Sequence, residues 1–137
     1  MRVDPTIEKE IKVILDRLLA LYVKADPDAL LDIFSDEPDV TIIGTKTDSK
    51  YIGLENIKSR FKQIFDLTEN ISEFNYENLM VSGAESIAWI SADINIKISA
   101  PDGTIKVFAR LTAVFQRLDS EWKISQLHYS MPATFVE

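Results

Sequence analysis

Gln126, His128 and Ser130 stand at alternate positions near the end of the chain. Steps of two from Trp122 and Ile124 lead onto the same three residues, so a strand here carries them on its inward face. Desolvating each without a partner would cost ~1–3 kcal/mol, so they need water, one another or a ligand. His128 is the single histidine and the candidate acid/base, because an imidazole titrates near neutrality and exchanges donor for acceptor roles. Gln126 and Ser130 would orient a carbonyl or hydroxyl. Ala92, Ala109 and Ala113, on the apolar faces of neighbouring strands, leave space beside them. An apolar cavity with a few convergent polar groups is the usual form of a small-molecule site. The alternative is that this face leaves the core near its end, with the three residues structural or half-exposed. The facing assumes that Leu118 pairs with Glu121, which sets Ala113 opposite Gln126 and Leu111 opposite His128. A bulge would flip it.

Other chemistries find less support. Ser130, His128 and Asp93 could be written as a nucleophilic triad, but alternation turns Asp93 to the opposite face. Asp36, Glu37 and Asp39 cluster without the glycine-bearing loop of a dedicated calcium site, and read as solvated loop residues. With no cysteine and one histidine, a zinc centre is disfavoured, and the four isolated glycines form no phosphate loop. No metal or cofactor is called for. Acidic residues outnumber basic ones 22 to 15, a net charge of −7 with no basic cluster, which disfavours nucleic acid. The stretch MRVDPTIEKEIK is charged throughout, and the longest apolar run, Leu18 to Val23, is far below the ~20 residues of a membrane span. A soluble cytoplasmic protein without a membrane partner is expected.

The elements that position these residues are readable from period and punctuation. The 137 residues suit one domain. Asp4-Pro5 starts a helix carrying Ile7, Ile11, Ile14, Leu15, Leu18, Leu21 and Tyr22 at helical spacing. Asp26-Pro27 opens a short second helix through Leu30, Leu31 and Phe34. Val40 to Ile43 reads as a strand, Thr45 to Lys50 as a polar loop, and Gly53 leads into a third helix with Leu54, Ile57, Phe61, Ile64 and Phe65 on one face. Segments 71–81, 86–99, 104–118 and 122–131 have period two and short separators, which makes them an antiparallel meander. The plan is α+β, with helices on one face of a curved sheet.

The other sheet face mixes apolar and charged residues. Trp89, Thr112, Leu127 and Tyr129 lie there with Asp93 and Arg110, which could pair across strands. Two large aromatics and a leucine are hard to leave in water, so this face is expected to be a dimer interface with charges fixing its register.

Order and residues together resemble the SnoaL-like branch of the nuclear transport factor 2-like, or ketosteroid isomerase-like, superfamily. The carriers are the long first helix, ADPDALLDIF, VTIIG, YIGLENIKSRF and the ending TAVFQRLDSEWKISQLHYSMP. That ending also resembles the calcium/calmodulin-dependent kinase II association domain, through Thr112, Val114, Trp122, His128, Ser130 and Pro132. The resemblance covers essentially the whole chain, 1–137. It implies a cone-shaped, cystatin-like α+β barrel around a cavity, and dimers through the outer sheet face. It supplies no activity, because the fold hosts isomerases, cyclases, hydrolases and assembly hubs. The positions matching ketosteroid isomerase's tyrosine and two acids are Leu18, Ile43 and Ala113, so that proton shuttle is absent. No inward acid matches the cyclases' aspartate. The association domain's pocket arginines fall near Ala113 and Tyr129, another departure.

The expectation is therefore a homodimeric small-molecule-binding domain of isomerase, cyclase or hydrolase type, its reaction unassigned. Its ligand would be small and largely apolar, with one or two oxygen functions. Leu18, Tyr22, Ile43, Ile90, Ala92, Leu111, Ala113 and Trp122 would line the cavity, with His128 as acid/base and Gln126 and Ser130 beside it. The alternative is a non-catalytic dimerisation or accessory domain with a vestigial cavity.

Overall fold

The computed structural model describes residues 2–66 and 70–133. Helix α1 (Pro5–Lys24) starts where Asp4 Oδ1 accepts the Thr6 N–H at 2.7 Å, and ends at Ala25 in the left-handed conformation. Its buried stripe is Ile11, Leu15, Leu18, Leu19, Leu21 and Tyr22. Helix α2 (Pro27–Leu31) repeats the device, with Asp26 Oδ1 accepting from the Ala29 N–H at 3.1 Å. Helix α3 (Leu54–Phe65) buries Ile57 and Phe61. It follows Gly53, whose φ of 86° is a region that side chains other than glycine rarely enter.

The sheet has six strands in the order β2-β1-β6-β5-β4-β3. Strands β3 (Asn70–Ala84), β4 (Ile87–Ala100), β5 (Gly103–Leu118) and β6 (Glu121–Ser130) form the expected antiparallel meander. Two short strands extend it. β1 (Thr41–Ile43) adds to β6 in parallel, and β2 (Lys50–Ile52) returns antiparallel beside β1, starting at the last residue of what reads from sequence as a polar loop. The sheet is therefore mixed. α1 packs across β3, and the core lies between the helices and the inward face of the sheet. Among the described residues no helix is long and apolar enough to cross a membrane.

Inward alternation holds along β4 through Ala88, Ile90, Ala92 and Ile94, and along β5 through Ala109, Leu111, Ala113 and Phe115. It breaks in β6. Leu118 does pair with Glu121 and Phe115 with Ile124, but Val114 pairs with Gln126, which leaves Ser125 as an extra residue. This bulge shifts the phase by one, so Leu127 and Tyr129 turn inward while Gln126, His128 and Ser130 turn outward. Leu127 is fully buried opposite Ala113, and Tyr129 lies opposite Leu111. The energetic preference is clear: burying a leucine and most of a tyrosine is worth several times ~1 kcal/mol, whereas three inward polar groups would each need a partner.

Candidate functional site

The three polar residues of β6 thus do not meet in the interior. His128 and Gln126 are exposed on the outer sheet face, and Ser130 accepts from Arg110 Nε at 3.1 Å on that same face. Asp93 shares the face too, contrary to the expectation, but Arg110 lies between it and Ser130 in the register. Two strand spacings, about 9.5 Å, therefore separate the rows of β4 and β6, and no triad contact forms. Asp93 instead accepts from Asn78 Nδ2 at 2.8 Å, and no Asp93–Arg110 ion pair forms.

The expected cavity wall is also redistributed. Leu18, Ile90, Ala92, Leu111 and Ala113 are buried as plain core. Trp122 is a structural pin at another part of the fold: its Nε1 donates to Glu10 Oε2 at 2.7 Å, and the Arg117 guanidinium lies 4.5 Å from its ring centroid. Ile43 pairs with His128 in parallel register, which places it on the outward side, and the adjacent Ile42 faces inward instead.

A cavity of about 230 Å³ does lie between helices and sheet. That is below the ~300–1,000 Å³ of sites for drug-sized ligands, so it suits a compact molecule. Tyr22 of α1, Ile42 of β1, Phe61 and Ile64 of α3, Phe74 of β3, Ile96 of β4 and Ala109 of β5 supply apolar wall, and Tyr129 reaches in from β6. Tyr22, Phe61, Phe65 and Phe74 are packed ring to ring, Tyr22 standing edge-on to Phe61 at 5.7 Å and stacked on Phe74 at 5.3 Å. A larger groove of about 750 Å³ runs between α1 and β3, but it is shallow and bordered by exposed Asp16, Lys24 and Glu73.

The mouth is built by the β1–β2 turn and α3. Ser49, buried, accepts from the Lys46 N–H at 2.9 Å and donates to the Lys46 carbonyl at 2.7 Å, while the Gly44 N–H donates to the Ser49 carbonyl at 2.7 Å. A Cβ on Gly44 would stand 2.8 Å from Ser49 Oγ, so the turn closes this tightly only with glycine there. The turn sets Lys46 at the cavity mouth. Arg60 of α3 lines the cavity too, half-buried, its guanidinium 5.6 Å from the Tyr51 ring centroid.

Two phenols occupy the polar end. The Tyr129 hydroxyl is sealed from solvent and has no hydrogen-bond partner. The Tyr22 hydroxyl is near enough for each to bear on the other's ionisation, without forming a well-aligned bond. Burial pushes the Tyr22 phenol up to about 12, with Tyr129 and the Arg60 charge pulling weakly the other way. Burial, reinforced by Tyr22, holds the Tyr129 phenol well above its ordinary value. Both are therefore neutral donors at physiological pH. Among the described residues no carboxylate and no imidazole lines the cavity. It offers hydrogen bonds and positive charge, and no base.

Comparisons with known proteins agree with this architecture. A dehydratase candidate of the NTF2-like family from Streptomyces avermitilis superposes with a TM-score of 0.85 at 17% identity, covering 96% of this chain and 100% of that one. A candidate calcium/calmodulin-dependent protein kinase II association domain from Xanthomonas campestris gives 0.78 at 19% identity, covering 92% and 88%. A protein from Catenulispora acidiphila, solved in complex with S-DNPA, gives 0.81 at 14% identity, covering 93% and 95%. At these identities the likeness establishes the fold and not the activity. A search of curated proteins returns no match. The SnoaL-like domain family matches residues 11–134, nearly the whole chain, and the protein belongs to that family.

Proposed function

We propose that this chain is a small-molecule-binding SnoaL-like domain whose ligand lies in the cavity beneath Tyr129. The ligand is compact and largely apolar, with one or two oxygen functions that accept from the Tyr129 and Tyr22 hydroxyls. The buried Tyr129 hydroxyl without a partner carries the reading. An unmet donor in such a place costs ~1–3 kcal/mol, which a ligand oxygen offsets once the Tyr129 ring turns to open its hydroxyl to the cavity. The complex of the Catenulispora acidiphila relative, in which this fold is seen with a small molecule, supports it. Because the cavity presents donors without a base, the reading is of binding and polarisation rather than proton abstraction.

Tyr129→Phe tests this. The variant is expected to be as stable as the parent or more so, by up to about 1 kcal/mol, because the unmet hydroxyl is gone. It should also lose about tenfold in affinity for any carbonyl or hydroxyl compound that raises the parent's melting temperature. Equal affinity in parent and variant would remove Tyr129 from the site. If no compound in a broad panel of compact carbonyls, alcohols and acids raises the melting temperature, the binding reading itself fails.

The second part of the proposal is a homodimer through the outer sheet face. Trp89, Met80 and Phe108 are exposed there, at 41%, 67% and 44%, among Thr112, Arg110 and Asp93. An apolar patch interspersed with charge is suited to a second copy. Arg110→Glu, which places a third carboxylate near Asp93 and Glu77, is expected to turn a sedimenting dimer into monomer. A dimer that survives the reversal would place the contact elsewhere.

A further inference from the structure

We propose that the ligand of this cavity is an anion: an apolar body bearing a carboxylate that Arg60 receives at the mouth, with Lys46 adding to the local field. The proposal rests on the binding reading above and names its ligand class. In a chain with 22 acidic and 15 basic residues, a randomly composed pocket would carry carboxylates. Here Arg60 and Lys46 both line the cavity, and among the described residues no acidic side chain does. Neither cation forms an ion pair among the described residues.

The two positions are also held in place. Ser49 ties the Lys46 backbone from both sides, and Arg60 lies against the Tyr51 ring on an amphipathic helix whose neighbouring Phe61 is buried. Arg60 is partly buried, so the water it would otherwise gather is reduced and a bidentate carboxylate gains correspondingly. Arg60, Tyr22 and Tyr129 line the same cavity of about 230 Å³, which places cation and phenols within reach of one small ligand. Of the polar side chains that line it, Lys46 and Arg60 can only donate, and Tyr22, Tyr129, Thr45, Ser49 and Tyr51 bring hydroxyls but no negative charge. The complement to a row of donors with net positive charge is an acceptor-rich anion, and the apolar wall between them selects one with a hydrocarbon body.

Matched pairs of probes separate charge from shape. Calorimetric titration compares 2-naphthoate with 2-naphthamide, and octanoate with octanamide, on the full chain and on Arg60→Met, Arg60→Lys and Lys46→Met. The expected result is that the better-fitting acid binds about tenfold tighter than its amide or more. Arg60→Met should bring that ratio below about twofold while the amide still binds, Arg60→Lys should keep part of it, and Lys46→Met should lower it less. Equal binding of acid and amide by the parent would overturn the anion inference and leave the pocket standing. A ratio that survives both methionine substitutions would overturn the assignment to Arg60 and Lys46. If neither member of either pair binds, the pocket reading fails and this inference with it.

Discussion

Phe61→Ala is expected to lower stability by about 3–5 kcal/mol, at the upper end for a single core truncation. Phe61 is 1% exposed and sits where three elements meet, edge-on to Tyr22 at 5.7 Å, tilted to Phe34 at 5.8 Å and stacked with Phe65 at 6.3 Å. The loss combines the transfer of a phenyl group from the core with the aromatic contacts, each worth ~0.5–1.5 kcal/mol. The neighbouring void sets the size of the effect. Because Phe61 already borders the cavity of about 230 Å³, its removal enlarges an existing space rather than opening a new one. Urea unfolding should show the midpoint falling with little change in slope. A loss below about 1 kcal/mol would mean that α3 packs less closely on α1 than the ring geometry requires.

Alkaline pH is the second large lever. Phenols in an unfolded chain ionise near pH ~10, whereas Tyr22 in the fold is pushed up to about 12 and Tyr129 moves in the same direction. Above pH ~10 the unfolded state loses these protons while the folded state keeps them, so unfolding is progressively favoured. The contribution of the neutral phenols is intact below pH ~10 and is lost as the pH rises through about 12. A two-unit shift at Tyr22 corresponds to roughly 2–3 kcal/mol, and Tyr129 adds to it with the same sign. Denaturation at pH 8 and pH 11, both chosen as probe conditions at about one to two units either side of the free phenol, reads the drop. At pH 11 about half of the Tyr22 contribution, roughly 1.4 kcal/mol, is already lost, so Tyr22→Phe combined with Tyr129→Phe should flatten the drop by at least that much, against a remaining fall to which Tyr76 contributes. An equally steep fall in the double variant would show that the phenols are ionised in the fold or open to water.

What was legible in the sequence was local chemistry. Asp4-Pro5 and Asp26-Pro27 announce helix starts because the cap and the fixed proline φ act within three residues, and both caps form as read. The long strands β3 to β6 were legible because a period of two persists over many residues. β2 was not, since Lys50–Ile52 is a strand only because β1 lies beside it. Nor was the parallel pairing of β1 with β6, which joins residues some 85 positions apart, Thr41 with Gln126 through Ile43 with His128.

The inward face of β6 differs from strict alternation by one residue. Strict alternation from Trp122 carries Gln126, His128 and Ser130 inward, and the extra Ser125 moves Leu127 and Tyr129 into their place. A signal was present: after Ile124 the inward set turns wholly polar just where the outward set turns to leucine and tyrosine, the pattern of a one-residue slip. Tyr22, read from sequence as closing a site around His128, lies instead on the wall of the cavity beside Tyr129. Arg60 and Lys46 carried no signal, because one lies at the margin of an amphipathic helix and the other in a turn whose closure depends on the buried Ser49. The outer face loses Leu127 and Tyr129 from the expected interface set and gains His128 and Gln126, while Trp89, Asp93, Arg110 and Thr112 keep their places on it.

The most direct measurement is amide chemical-shift mapping of the ¹⁵N-labelled protein with the tightest-binding compact ligand found by melting-temperature screening. Shifts are expected to concentrate at Tyr22, Ile42, Lys46, Arg60, Ile96, Ala109 and Tyr129, the lining of one cavity spread over six elements and a turn. Shifts gathered instead at Trp89, Thr112, Gln126 and His128 would place the ligand on the outer sheet face and contradict the cavity reading.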